Sequence, residues 1–438
     1  MKNVLENYRK STPKSEKLFE RALKVFAGGV NHNLRTFAMD WCGAYPPYMV
    51  RGDGGHIWDV DGNDYIDWWM THYAQILGHN NPSVKTAIEG QLDAGIHLGA
   101  LNQYMVDFGE RIQEAIPDLA RMRFCSTGSE ATMYAVRLAR VFTKKQKIAK
   151  TFGGWHGGND SLEFHLSHPF EDEPHFNGVS FDFNDRESFD HMLKEHGRDL
   201  AAVVIEPMLG AGGGLAPEPE FLPYLREETE RRGILLIFDE IITGFRLRYG
   251  AAGKEVFGVQ PDLLTLGKIA GGGMHLGVYG GREDVMALAA PKAPGGRWVG
   301  GGTFSSHPLA MVAGLATLEQ LQSYRDKYEK LNKSGDEFRD KLNILFDEER
   351  ALAVATGVGS MMFITILLHE LTDLPLTGRK LSETVDHKNL DKFQGLLMER
   401  GLFGYHGLGC ISFSHTKEDL QKSFDIITEV IHLLKSSS

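Results

Sequence analysis

Residues 234–273, ILLIFDEIITGFRLRYGAAGKEVFGVQPDLLTLGKIAGGG, hold two short apolar runs, each leading into an ionisable side chain. Ile234–Phe238 runs into Asp239-Glu240; Leu263–Leu266 is followed by Gly267-Lys268 and then by Ile269-Ala270 and three glycines. Unbroken apolar runs of this length read as strands buried on both faces. The stretch between them is long enough for one crossover, so the two strands are expected as neighbours in an α/β sheet. Such sheets collect ligands at the carboxyl ends of their strands, where Asp239 and Lys268 both fall.

Working outward, Arg121–Ser126 reads as a strand followed by a helix over Glu130–Phe142, and Ala201–Ile205 as a buried strand followed by a helix near Phe221–Arg232. Apolar strands alternating with helices predict a largely parallel sheet covered on both faces. The first 25 residues read as one amphipathic helix with Leu18, Phe19, Leu23 and Val25 on its apolar face, ended by Gly28-Gly29. Gly55–Asp67 reads as a hairpin turning at Asp61-Gly62-Asn63. Past residue 315, a long charged helix to about Leu345, short strands near Gly357–Leu368 and Cys410–Ser414, and a last helix from Lys417 predict a separate α+β domain.

Composition narrows the class. The 438 residues are 42% hydrophobic and 24% charged, which suits a folded chain with more than one core. The 47 Lys and Arg against 58 Asp and Glu leave a net charge of −11, which argues against a nucleic-acid partner. No apolar run reaches the roughly 18–20 residues of a membrane-spanning helix. Met1–Lys14 lacks the apolar core of a secretory signal, so no membrane partner and a cytoplasmic location are expected. Three scattered cysteines suggest neither a disulfide framework nor a metal cluster.

Five segments carry chemistry. Asp239 alone would read as a strand-ending helix cap, but Lys268 beside a glycine-rich loop is poorly placed as a solvated charge. Burial there would depress its pKa, as a Schiff-base lysine requires. A phosphate-loop reading fails, because Asp262 and Ile269 stand where that motif needs Gly and Ser or Thr. Thr127 and Glu130 in Cys125–Ala131 fit a capping box at a helix entry rich in donors, an anion cradle. Gly153–Gly158 displays Trp155 and His156 between glycines, with Trp155 free to stack on a flat ring. Gly300–Pro308 is a second donor-rich helix entry.

Together these segments resemble the class III aminotransferases, pyridoxal-phosphate enzymes, and within them the glutamate-1-semialdehyde 2,1-aminomutase branch. The passages are Gly28-Gly29-Val30-Asn31 with Arg35, Asp59–Asp67, Ser126–Arg140, Asp239–Arg246 and Pro261–Gly273, with a weaker return at Ser412–Asp419. The resemblance implies a fold-type-I α/β architecture with a mostly parallel seven-stranded sheet. Residues 1–74 would pack with a small domain, 75–322 would form the large cofactor domain, and 323–438 the small α+β domain. It implies pyridoxal 5′-phosphate held by an imine to Lys268, with Asp239 on the ring nitrogen. Gly128 and Ser129 would take the phosphate and Thr303 would reach it from the partner subunit of a homodimer. Trp155, in place of the usual Tyr, and Ile241 would cover the two ring faces, with His156 and Glu206 alongside. Arg35 would receive the substrate carboxylate.

This chain departs from the aminomutase pattern on the substrate side. Thr71-His72-Tyr73 replaces Ser-Trp-Gly, making His72 and Tyr73 candidate substrate contacts. Ser167–Val179 is shorter than the aminomutase gating loop, Gly210–Gly214 replaces Asn-Met, Phe403–Gly409 lacks the Pro-Ser segment, and Ser306-His307-Pro308 replaces Gly-Asn-Pro. The expected activity is therefore amino transfer between a carboxylate-bearing amino acid, β- or aryl-type included, and an oxo acid. The alternatives are the aminomutase and a racemase, whose second acid–base group would be His72, His156 or His307. Trp68, Trp69 and Tyr73 suit either an apolar substrate portion or core packing.

Overall fold

A computed structural model describes residues 2–32, 35, 45–165, 177–292, 294, 300–371 and 376–436. The chain forms two compact units: a larger one from Pro82–Lys330 and Thr372–Glu383, and a smaller one from Met1–Asn81, Leu331–Leu371 and Thr384–Ser438.

The larger unit is built on a seven-stranded sheet. Its strands in chain order are β1 (Arg121–Cys125), β2 (Lys147–Thr151), β3 (Gly178–Phe181), β4 (Leu200–Ile205), β5 (Leu235–Asp239), β6 (Leu263–Leu266) and β7 (Gly277–Gly281). They lie in the order β1-β7-β6-β5-β4-β2-β3, with β7 antiparallel to both neighbours and the pairs on its other side parallel. Every residue of β4, β5 and β6 is buried, as unbroken apolar runs require. The register sets Asp239 opposite Thr265, three residues before Lys268. β2 and β7 lack the apolar signature. Lys147 and Lys150 interrupt β2, and three glycines make up most of β7. Gly277 is required: a Cβ there would lie 2.1 Å from the Thr127 carbonyl oxygen, so only bare backbone can pass the turn into the next helix.

In the smaller unit the hairpin stands where expected, His56–Asp59 against Asp64–Asp67, with Met49–Asp53 on one side and Leu402–Phe403 on the other. A second, antiparallel sheet joins Ala353–Thr356, Met361–Ile366 and Leu408–Cys410. The strand expected over Cys410–Ser414 stops at its first residue. The single N-terminal helix is instead two, Lys2–Ser11 and Pro13–Ala22. Pro13 begins the second because proline cannot donate within a helix and pushes Thr12 out of helical geometry. The long charged helix is also divided, into Pro308–Ser323 and Tyr328–Glu348. The buried Tyr328 hydroxyl donates to the Phe245 carbonyl at 2.8 Å, a tertiary anchor invisible to local periodicity.

Within Ser412–Asp419, His415 is half-buried with its Nε2 shielded from water, and its Nδ1 accepts from the Ser412 N–H at 2.9 Å. Burial pulls its pKa down to about 4 despite the nearby Asp67 and Asp419 carboxylates. Below pH 6.5 the unfolded imidazole takes up a proton that the folded one refuses, so this contribution is complete above pH 6.5 and lost as pH falls toward 4. It amounts to about 2 kcal/mol by pH 5. Urea unfolding at pH 7 and pH 5 should therefore show a steeper acid loss in the wild type than in His415→Gln, whose amide oxygen keeps the acceptor without titrating. Parallel losses would refute the assignment.

Candidate active site

Asp239 ends β5 and is buried. Its Oδ1 accepts from Thr265 Oγ1 at 3.0 Å and from the Ile241 N–H at 3.1 Å. Its Oδ2 accepts from His156 Nδ1 at 2.8 Å. Burial lowers the His156 pKa even against Asp239, so the ring is neutral with its proton on Nδ1. A carboxylate has about four acceptor positions; three on Asp239 are taken, and one remains for a further N–H donor. Glu240 does different work. Its oxygens accept from the Ala252 and Gly253 N–H groups at 2.6 and 2.8 Å and from Thr243, which ties down the following loop.

Lys268 follows β6 with a φ of 41°, a costly backbone state for a residue with a side chain and one that concentrates at functional sites. Burial lowers its pKa, and the Asp239 and Glu206 carboxylates oppose that shift without reversing it. More free amine at neutral pH is what a nucleophile and proton carrier needs.

The helix Gly128–Thr143 is capped by Thr127, whose side chain accepts from the Glu130 N–H at 3.2 Å. Glu130 closes the expected box one residue early, accepting from the Ser126 N–H at 2.7 Å. Ser129 Oγ accepts from the Gly158 N–H at 3.2 Å, which draws the Gly153–Gly158 loop onto this helix entry. Ile241 Cδ1 lies 3.0 Å from where a Cβ on Gly128 or on Gly267 would stand, so those glycines let Ile241 pack between them. Trp155 is 39% exposed, a large ring partly open to solvent. Its backbone N–H donates to Glu206 Oε1 at 3.4 Å, and Glu206 Oε2 accepts from the Gly210 N–H at 3.1 Å. Burial, with Asp239 adding to it, pushes the Glu206 carboxyl up to about 8. Sequence reasoning passed over Lys150, whose Nζ donates to the Gly154 carbonyl at 2.8 Å from full burial. A lysine beside Ile148-Ala149 at the end of a strand was the available signal.

Thr303 is exposed, its carbonyl accepting from His97 Nε2 at 3.0 Å. Arg35, His72 and Tyr73 belong to the smaller unit. Arg35 is exposed and its N–H donates to the His32 carbonyl. Met70, Thr71, His72 and Tyr73 have φ of 41°, 53°, 61° and 63°, a left-handed turn with no glycine. His72 stacks on Trp69 at 4.4 Å; Tyr73 is buried against Phe363 at 5.8 Å; Trp68 meets Phe338 at 5.1 Å. Trp68, Trp69 and Tyr73 are thus packing residues, and Thr71 and His72 keep the accessible surface of the turn. Most of Ser167–Val179, the stretch compared with a gating loop, lies outside the described residues. Among the described residues no group of three or more His, Cys, Asp or Glu could hold a metal ion, and no helix is long and apolar enough to cross a membrane.

The fold and this group of side chains define a pyridoxal-phosphate enzyme of fold type I. The chain belongs to the class III aminotransferases, whose family profile matches residues 42–381. The glutamate-1-semialdehyde 2,1-aminomutase of Methanosarcina acetivorans is 37% identical over 429 residues, 95% of this chain and 98% of that one. Among solved structures, the β-phenylalanine aminotransferase from Variovorax paradoxus superposes with a TM-score of 0.87 at 28% identity, covering 99% of this chain and 97% of that one. A transaminase with PLP bound gives 0.86 at 27% identity, with 97% and 99% covered.

Pyridoxal 5′-phosphate is the cofactor, and the donor set fits it. Asp239 has an acceptor position left for a ring N–H, Lys268 offers a desolvated amine, and Trp155 and Ile241 offer apolar surface.

Proposed function

We propose that the protein moves an amino group on a small carboxylate-bearing substrate, with Lys268 and Asp239 as its catalytic residues. The observation that carries this is the Asp239–His156–Thr265 network standing three residues from a desolvated lysine at the same sheet edge. When bound, the cofactor supplies an electron-withdrawing ring that acidifies the proton beside the substrate nitrogen. Lys268 Nζ would hold the cofactor and, as a free amine, would carry the proton taken from the carbon beside the substrate nitrogen. Asp239 would keep the ring nitrogen protonated, with His156 Nδ1–H holding the Asp239 carboxylate in place. Gly128 and Ser129 would bind the phosphate, and Trp155 and Ile241 would flank the ring. Arg35 would be the residue that takes the substrate carboxylate, and His72 a second substrate contact.

Intramolecular transfer, glutamate-1-semialdehyde 2,1-aminomutation, stands first, because the aminomutase of Methanosarcina acetivorans matches at 37% identity over nearly the whole chain. The order expected from sequence put intermolecular transfer first. That second reading keeps the support of Thr71 and His72, which replace the aminomutase residues on an accessible turn, and of the β-phenylalanine aminotransferase likeness.

A homodimer completes the site in this reading. Leu101 is 85% exposed, Ile96, Leu98 and Phe304 are more than half exposed, and His97 joins the two segments through its ring contacts with Phe304 and His307. A second copy covering this apolar face would bring Thr303 to its partner's phosphate.

The test converts the protein to its pyridoxamine form and offers glutamate-1-semialdehyde with no acceptor, then β-phenylalanine with 2-oxoglutarate. Accumulation of 5-aminolevulinate in the first reaction is the expected result. Turnover in the second alone replaces the mutase with a transaminase. Failure of both, with solvent deuterium entering a racemised amino acid, would indicate the racemase.

A further inference from the structure

Lys150 and Glu206 have no chemical task in the scheme above, yet both are buried beside it. Lys150 is the last residue but one of β2, its Nζ donating to the Gly154 carbonyl at 2.8 Å and lying 5.0 Å from the Phe164 ring centroid. The other end of that same peptide group is the Trp155 N–H, which donates to Glu206 Oε1 at 3.4 Å. One peptide plane is therefore gripped at both poles, the ammonium at its oxygen and the carboxyl at its N–H, in the sense its dipole favours. The plane has little freedom to turn. A Cβ on Gly154 would meet Thr151 Oγ1 at 2.9 Å and His156 Nε2 at 3.0 Å.

Neither charge is well tolerated alone at this depth. Burial brings the Lys150 ammonium down to about 7 against the pull of Glu206, and burial together with Asp239 pushes Glu206 up to about 8. Both shifts run toward the uncharged forms, and what joins the two groups is the peptide between them, which bonds to each.

We propose that Lys150 and Glu206 are a pair of positioning residues that clamp the Gly154–Trp155 peptide and so set the angle at which Trp155 meets the cofactor ring and His156 meets Asp239. The family resemblance placed Glu206 against the cofactor and assigned Lys150 nothing; here both act through the loop. The inference rests on Trp155 as the ring-stacking residue.

The experiment compares wild-type holoenzyme with Lys150→Met, Lys150→Arg, Glu206→Gln and the Lys150→Met/Glu206→Gln double variant. It reads the dissociation constant of pyridoxal 5′-phosphate by equilibrium dialysis and the visible circular dichroism of the bound cofactor, which reports ring orientation independently of turnover. Lys150→Met should weaken retention by about tenfold or more and change the dichroic band, and Lys150→Arg should stay near wild type. The double variant should recover most of the Lys150→Met loss, because the peptide is then no longer pulled at one pole only. Wild-type affinity and an unchanged band in Lys150→Met would overturn the proposal, as would equal losses in Met and Arg or additive losses in the double variant. If Lys150→Met does not fold, a folded, cofactor-binding double variant supports the pairing and an unfolded one refutes it. Failure of the cofactor reading is separate, since wild-type protein would then bind no pyridoxal phosphate.

Discussion

Lys268→Ala should lower amino transfer by at least about 10⁴-fold, because on the proposed function one side chain would both hold the cofactor and carry the proton. The fold should survive. Lys268 sits in a short turn after β6, outside the residues that pair β6 with β5, and losing an ammonium that burial already disfavours relieves a desolvation cost. Single-turnover assays and far-ultraviolet circular dichroism check the two halves of this statement. Added small amines should restore part of the activity, since they supply the missing base. A variant with ordinary turnover would remove Lys268 from the mechanism, and borohydride trapping in the wild type would then have to label another peptide.

Asp239→Asn should cost about 10²- to 10³-fold in kcat, the size of effect expected when a buried, hydrogen-bonded charge loses its partner. An asparagine fits the same space, but its amide nitrogen cannot accept. His156 Nδ1–H and the ring N–H would then compete for a single oxygen already bonded to Thr265 and Ile241. Retention of pyridoxal phosphate should fall less than kcat, because the phosphate contacts and the covalent link are untouched. A kcat within a few-fold of wild type would separate Asp239 from the ring nitrogen.

The parts of this protein that were legible in its sequence are those where local and tertiary demands agree. β4, β5 and β6 are buried on both faces and need nothing but apolar residues, so their runs were visible, and with them the positions of Asp239 and Lys268. β2 was masked by Lys150, which bonds to the Gly154 carbonyl and shares that peptide with a glutamate 56 positions away that no local pattern reveals. β7 was masked by glycines at close backbone approaches, Gly277 to the Thr127 carbonyl, Gly280 to that of Arg121 and Gly281 to that of Asp262. The capping box was right in its residues and wrong by one position in its partner, because Glu130 is long enough to reach Ser126. Trp68, Trp69 and Tyr73 could not be assigned from sequence, since an aromatic facing a substrate and one facing a core have the same neighbours along the chain. Their ring contacts place them in packing.

The winding of Met70–Tyr73 bears on how the substrate side can vary. Each of these residues sits where its own Cβ crowds the backbone, at roughly 1–2 kcal/mol apiece, so the corner behaves as a coiled spring held shut by Trp69 and Phe363. Loosening either latch lets the spring unwind and carries Thr71 and His72 to new places while the sheets stay put. On the proposed function, which makes His72 a substrate contact, selectivity at this corner would then drift through changes in rings that never touch a substrate.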